Sequence, residues 1–226
     1  MSSEWYDMIA GRNGGYKSNA VFSVEGLSGE TVFEERLKSI LPSFSSVLDA
    51  GCGHGEFTLK LAQYCSKIIG FDNSVELLKI AESLKLQHQT ENVHFIYASS
   101  KKELPFQDER FDLIYDRRGP TSILDQSRIL RSGGIVFGIH SAEKDKVLER
   151  LEKNCFVDIE IEEYHDALIV FPNEREFTKY LSASHGNLDY TLPENKNELE
   201  SLLAENYRDG RLTLKEWRYI WKARKP

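Results

Sequence analysis

The 226-residue chain carries 29 Lys and Arg against 36 Asp and Glu, a formal net charge of −7. Such a balance gives no global basic field to draw in nucleic acid or an anionic membrane, and 40% hydrophobic residues suit an ordinary globular protein. No apolar run nears the roughly 18 residues a membrane span needs, and residues 1–7 lack the basic start and apolar stretch of a signal peptide. Three scattered cysteines, Cys52, Cys65 and Cys155, make neither a disulfide framework nor a zinc pair, so a reducing cytoplasm is the expected setting.

Residues 1–40 read as a flank, loop-like around Gly11 to Tyr16 and helical from about Gly29. Residues 45–50 form a short β-rich run that ends at glycines. Apolar residues at Phe57, Leu59, Leu61, Ala62 and Cys65 then recur at helical spacing. Residues 67–72 make a second buried strand, and Ser74 is placed to cap a helix whose face is Val75, Leu77, Leu78 and Ala81. Residues 93–98 and 111–116 read as strands. A helix over about 122–130 runs into Gly133 and Gly134 as a stop, residues 135–140 give a fifth strand, and 143–153 a charged helix.

Five alternations of strand and helix predict right-handed βαβ units, hence an α/β fold with a mostly parallel sheet covered by helices on both faces. Ligands bind such sheets at the C-terminal strand ends near the topological switch point. The loops that matter then follow Ala50, Asp72, Ala98, Asp116 and His140. Beyond residue 154 the pattern changes. Residues 156–162 alternate with period 2, residues 168–171 continue that strand or pair beside it, and 217–223 read as a last strand. The expectation is two antiparallel strands ending the sheet, with a helical insertion between them. The whole chain, 1–226, reads as a single domain: a lid or flank over 1–40, a cofactor-binding core over 45–165, a cap insertion over 173–207 and a final strand over 212–224.

The strongest local signal is the run from Val47 through Asp49, Gly51, Cys52 and Gly53 to Gly55, where a strand ends in an acid, glycines alternate and a helix begins. Glycines allow a tight turn and close approach to a ligand, while the helix start offers free N–H groups. A dinucleotide site wants G-x-G-x-x-G/A. The third position is Glu56 counted from Gly51 and Thr58 counted from Gly53, so both counts fail. Glu56 would also repel a pyrophosphate.

This motif set resembles the class I S-adenosylmethionine-dependent methyltransferases, of the type 11-like domain, whose first motif D/E-x-G-x-G-x-G is matched by Asp49, Gly51, Gly53 and Gly55. The order of the later segments, Leu104-Pro105-Phe106, the strand from Phe111 and Arg131-Ser132-Gly133-Gly134, agrees as well, so the likeness covers about residues 45–140. It implies a Rossmann-like, doubly wound, seven-stranded mostly parallel sheet with a small helical cap. It implies S-adenosyl-L-methionine as cofactor and S-adenosyl-L-homocysteine as product; separately, no His/Cys/Asp cluster has metal-ligand spacing, so no metal is expected. By resemblance Asp49 favours the cofactor's ammonium, the glycines with Cys52 pack on its amino-acid and ribose part, and Asp72 with Asn73 meets the ribose hydroxyls. Ser99 and Ser100 stand where many relatives carry an Asp facing the adenine amine. Asp116 sits on the same rim, Tyr16 is the lid aromatic, and Arg12 the partner of the cofactor carboxylate.

Methyl transfer from a sulfonium is a direct displacement, so the protein supplies alignment and a dry pocket. The loop after the fourth strand reads Asp116-Arg117-Arg118-Gly119-Pro120, without the Asn/Asp-Pro-Pro-Tyr/Phe of amino-group methyltransferases. Arg117 and Arg118 suit an anionic acceptor, or else bridge to nearby acids. Asp116 and His140 are the candidate catalytic groups; Asp116 reads equally as a residue that orders the loop, and His140 more readily as a hydrogen-bonded structural one. Trp217, Tyr219 and Trp221 alternate with Arg218 and Lys222, which suits either nucleic-acid stacking or a strand with one buried aromatic face.

The leading function is methyl transfer to a small-molecule acceptor, by a monomer or homodimer with no membrane partner. An RNA methyltransferase is the alternative, since residues 98–134 look like enzymes that methylate a guanine ring nitrogen in bacterial large-subunit rRNA. Those enzymes carry an N-terminal four-cysteine zinc module, and residues 1–40 hold no cysteine. A non-catalytic cofactor-binding regulatory protein is the third reading.

Overall fold

A computed structural model describes residues 3–184 and 186–226. With strands numbered along the chain, the main sheet has the spatial order Val93–Tyr97 (β4), Ile68–Asp72 (β3), Val47–Ala50 (β2), Phe111–Arg117 (β5), Leu130–His140 (β6), Arg218–Arg224 (β11) and Val157–Tyr164 (β7). The first five strands pair in parallel. β11 runs antiparallel to both β6 and β7, so β7 points with the rest. The expected pair of antiparallel strands is therefore a single one. The chain steps outward from β2 to β3 and β4, then returns to the other side of β2 with β5. That reversal is the switch point, and it opens a crevice at the C-terminal ends of β2 and β5.

Period-2 alternation sends neighbouring residues to opposite faces. Val47 and Leu113 join one apolar cluster while Leu48 and Ile114 join the other. Helix α2 (Gly29–Ile40) buries Phe33 and Leu37 in the first cluster, capped by the Ser28 hydroxyl, which accepts from Glu30 N–H. Helix α5 (Lys144–Lys153) places Val147 and Leu151 in the second, beside Tyr219 and Trp221. Helix α3 (Glu56–Leu61) follows the glycine turn. Helix α4 (Val75–Gln87) starts at Ser74, whose hydroxyl accepts from Leu77 N–H as the sequence predicts. The helix expected over 122–130 is a 3₁₀ segment, Thr121–Ile129, kinked at Gln126.

The cap departs from expectation. It is a four-stranded antiparallel sheet with helices, in the order Ser23–Glu25 (β1), Leu168–Phe171 (β8), Arg211–Lys215 (β10), Tyr207–Arg208 (β9). Helices α6 (Glu174–Ser182) and α7 (Lys196–Asn206) complete it, around a core of Ile169, Phe171, Phe177, Leu181, Tyr190 and Leu212. The strand expected over 212–224 is two strands in two sheets. They are divided at Glu216, whose buried carboxylate accepts from Gly29 N–H at 3.1 Å. Helix α1 (Ser3–Asn13) lies against α4 on the outer side.

Candidate active site

The turn after β2 is built on three left-handed glycines, Gly51, Gly53 and Gly55, with φ of 78°, 56° and 75°. A side chain at Gly51 would strike Pro120 Cδ at 2.6 Å, and one at Gly55 would strike Phe95 at 2.6 Å. Gly53 differs. A Cβ there would meet only Tyr16 Cβ, at 4.0 Å, so that position borders a cradle rather than packed protein.

Asp49 lies beneath the turn, 3% exposed, and one of its oxygens accepts from Thr58 Oγ1 at 2.6 Å and Tyr115 Oη at 2.7 Å. Burial pushes its carboxyl up to about 7, against the pull of those two donors. Cys52 is buried and packs on Gly70. Asp72 ends β3 and ties two loops together, with Oδ2 accepting from Gly53 N–H and Oδ1 from Ser74 N–H, both at 2.9 Å. Burial raises its pKa against those donors. Asn73, Ala98 and Ser99 border an open pocket beside it with Tyr97 and Pro105. Ser100 faces elsewhere: its hydroxyl pairs with Ser122 at 2.6 Å, inside the protein.

Asp116, next to last in β5, is fully buried. Its Oδ1 accepts from Gly119 N–H at 2.5 Å and lies 3.3 Å from His140 Nε2. Its Oδ2 is buried without a hydrogen-bond partner among the described residues. His140 Nε2 also faces Gly119 O at 3.3 Å, while Nδ1 accepts from Trp221 Nε1–H at 3.1 Å. The acid thus shapes the turn that presses Gly119 and Pro120 onto Gly51.

Arg117 and Arg118 do not form a free cationic pair. Both reach Glu30, with Nε to carboxylate distances of 2.9 and 3.2 Å, and Arg218 joins them at 3.3 Å. Burial alone would raise the Glu30 carboxyl, but the three guanidiniums outweigh it and hold the group at about 2.

Tyr16 stands at the glycine turn, its N–H donating to His54 Nδ1 at 3.2 Å, and its ring meets Trp5 and Tyr6 edge-on. Burial, with Tyr16 and Asp72 nearby, pushes the Tyr6 phenol up to about 12. Asp7 Oδ1 accepts from Ser74 Oγ at the start of α4. Arg12, expected at the cofactor carboxylate, instead pairs with Asp189 of the cap at 2.6 Å, and Nη2 donates to Ser182 O at 3.4 Å. Glu30, Tyr115, Asp189 and the His140–Trp221 bond escaped the sequence reading, since each depends on partners far away in the chain. Thr58, one helical turn past the glycines, carried the one local cue: a hydroxyl within reach of the preceding strand's acid.

The residues present fit S-adenosylmethionine. The Asp72 carboxylate retains acceptor capacity beyond its backbone N–H donors, the chemistry a vicinal diol needs, and the face of Gly53 is open for close approach. No group of three or more His, Cys, Asp or Glu among the described residues could hold a metal.

A methyltransferase-domain family matches residues 43–206, more than half of the chain. The chain is 30% identical over 118 residues to a demethylmenaquinone methyltransferase of Lactiplantibacillus plantarum, covering 48% of this chain and 50% of that protein. It is 26% identical over 129 residues to a 23S rRNA (uracil-C5) methyltransferase of Vibrio parahaemolyticus, covering 54% of this chain and 29% of the other. It thus spans half or less of the length of these curated relatives. A crystal structure of a functionally unknown protein from Deinococcus radiodurans superposes with a TM-score of 0.71 at 20% identity, over 100% of both chains, and shows the same fold. Glycine turn, strand order and family match agree, and the chain belongs to the class I S-adenosylmethionine-dependent methyltransferases.

Proposed function

We propose that this methyltransferase acts on a small-molecule acceptor at the C-terminal ends of β2 and β5. The observation that carries the reading is the Arg12–Asp189 ion pair, which joins the α1 flank to the cap. That contact ties α1 to the cap at the protein surface, which supports a small-molecule acceptor over a polynucleotide. Two of the three aromatics that the RNA alternative would stack on are buried. Tyr219 and Trp221 are 0% and 1% exposed, packed in the sheet, and Gly138 leaves the room that Trp221 fills. The third reading, a non-catalytic binder, gives way to the family assignment.

In this reading the turn at Gly51, Gly53 and Gly55 and the Asp72 carboxylate hold the cofactor, with Asn73 and Ser99 beside the adenosine. Bound there, S-adenosylmethionine would supply a sulfonium methyl that an acceptor lone pair attacks, the C–S bonding pair leaving with the sulfur. Asp116 and His140 set the turn that faces the acceptor, and Tyr16 closes the site against water, which strengthens every charge interaction inside. No helix among the described residues is long and apolar enough to cross a membrane.

The test is transfer of a radiolabelled methyl group from S-adenosylmethionine into a fractionated bacterial extract. Label in the low-molecular-weight fraction is the expected result. Label in an RNase-sensitive polymer would overturn the small-molecule reading. Calorimetry should show binding of S-adenosylhomocysteine and none of NAD.

A further inference from the structure

His54 sits inside the glycine turn, between Gly53 and Gly55, and its side chain is 14% exposed. Nδ1 accepts from Tyr16 N–H at 3.2 Å, while Nε2 lies 3.0 Å from Glu56 Oε2 at the start of α3. The acid at one ring nitrogen fixes how the imidazole is turned, so the other nitrogen faces the lid. Gly15 is shaped to the same ring. A Cβ there would lie 2.8 Å from His54 Cδ2 and 2.9 Å from Cγ, and its φ of 143° is one that side chains rarely adopt.

Other bonds of the lid turn stay within it. Gly14 and Gly15 N–H donate to Ala10 O at 2.9 and 3.2 Å, Asn13 Nδ2 donates to Lys17 O at 2.6 Å, and Asn19 Nδ2 donates to Asn13 O at 3.0 Å. They give residues 10–19 their shape but do not reach the glycine turn. The His54 bond does. On its far side, Tyr16 Cβ stands 4.0 Å from where a Gly53 Cβ would lie, over the open face of that glycine. Gly53 N–H in turn donates to Asp72. His54 therefore sets the gap between the lid aromatic and the groups assigned to the cofactor.

We propose that His54 is a positioning residue for the cofactor, a latch that holds Tyr16 over Gly53 and slows cofactor release. The inference rests on the methyltransferase reading above and adds the group that governs exit from that site. The imidazole acts through the Tyr16 backbone and takes no part in the chemistry. Lid opening and product release commonly limit turnover in enzymes closed in this way. One neutral hydrogen bond at the closing edge is enough to change a release rate several-fold.

The experiment uses the full chain loaded with radiolabelled S-adenosylhomocysteine and chased with an excess of the unlabelled compound. His54→Leu fills the space under Gly15 but cannot accept. His54→Asn places its Oδ1 where Nδ1 stands and can still accept from Tyr16 N–H. Both variants lose the Glu56 contact, so the difference between them isolates the bond to the lid. His54→Leu should release the compound roughly fivefold faster than the wild type, and His54→Asn within about twofold of it. Hydrogen exchange at the Tyr16 amide gives a second reading, independent of whether the variants fold. In the wild type it should slow when S-adenosylhomocysteine binds. If the wild-type protein fails to bind S-adenosylhomocysteine, the methyltransferase reading itself fails. If it binds but the two variants release it at one rate, the latch alone is refuted. A wild-type Tyr16 amide that exchanges equally fast with and without S-adenosylhomocysteine would also overturn it.

Discussion

The indole N–H of Trp221 donates to His140 Nδ1 at 3.1 Å, and that bond decides which ring nitrogen faces the loop after β5. Indole can only donate, so Nδ1 accepts and the proton of the neutral ring sits on Nε2, toward Gly119 O and Asp116. Burial lowers the ring's pKa, Asp116 raises it, and the balance lies above the ordinary histidine value. Trp221→Phe removes the donor and keeps an aromatic ring. We expect a loss of roughly 1–3 kcal/mol from the unpaired nitrogen, read in urea unfolding. The ¹⁵N shifts of His140 should change from a single tautomer to a mixture. An unchanged tautomer would show that Asp116 alone orients the ring.

Asp49 carries a stability cost at neutral pH. Its carboxyl titrates near 7 in the folded protein against 3.8 as a free group, so between those values the unfolded chain is the more readily deprotonated state. Stability attributable to this group therefore falls as pH rises from about 4 to 7 and is level above. Asp49→Asn keeps an acceptor for Thr58 and Tyr115. It should stabilise the protein at pH 8 by roughly 2–4 kcal/mol, and hardly at all at pH 4. If Asp49 faces the cofactor's ammonium as the family resemblance implies, affinity for S-adenosylhomocysteine should drop about tenfold, about 1.4 kcal/mol. Thermal unfolding at the two pH values, with calorimetry, checks both arms.

Glu30 shows the opposite sign. Its folded pKa, about 2, lies below the 4.5 of the free group, so its contribution is present above 4.5 and lost as pH falls toward 2. The shift corresponds to roughly 3 kcal/mol. Glu30→Gln should lower stability by about that much at pH 7 and flatten the acid limb of the profile. A variant as acid-sensitive as the wild type would mean that other carboxylates govern that limb.

Gly51 and Gly53 give a matched pair. Ala at Gly51 meets Pro120 Cδ at 2.6 Å as well as the backbone strain, whereas Ala at Gly53 meets strain alone. The first should cost roughly 2–4 kcal/mol of stability and the second about 1. Cofactor affinity should fall at least tenfold in both, because at Gly53 the methyl enters the cradle. Comparable stability losses in the two variants would contradict the packing difference between them.

Asp72→Ala removes both the proposed ribose contact and the tie between Gly53 and Ser74. Affinity for S-adenosylhomocysteine should fall by roughly 1.5–3 kcal/mol, the scale of charged hydrogen bonds. Asp72→Asn, which can still accept from Gly53 N–H, should keep more of the loop's order than of the affinity. Calorimetry that returns equal affinities for all three proteins would remove Asp72 from the ribose.

The sheet was legible wherever one stretch of chain holds all the information. The turn after β2 needs glycines for its positive φ, Ser74 caps the helix beside it, and buried strands announce themselves as apolar runs. The cap sheet was not legible because its strands come from residues 23–25, 168–171, 207–208 and 211–215, and β1 is exposed along its whole length. The site was half legible for the same reason. Asp49, Gly51, Gly53, Asp72 and Tyr16 fall around one turn. The fate of Arg12 and of the Arg117–Arg118 pair hinged on Asp189 and Glu30, which no spacing rule connects to them.

β11 lies between β6 and β7 in space although it follows both in sequence. β7 therefore has no neighbour in the sheet until β11 has been inserted, and the partner that orients His140 arrives with the same strand. Pairings at long sequence separation form slowly, because the loop entropy is lost before the contacts form. The strands that carry the glycine turn and Asp72 pair at short sequence separation, whereas the edge that holds β7 and orients His140 depends on the last strand of the chain.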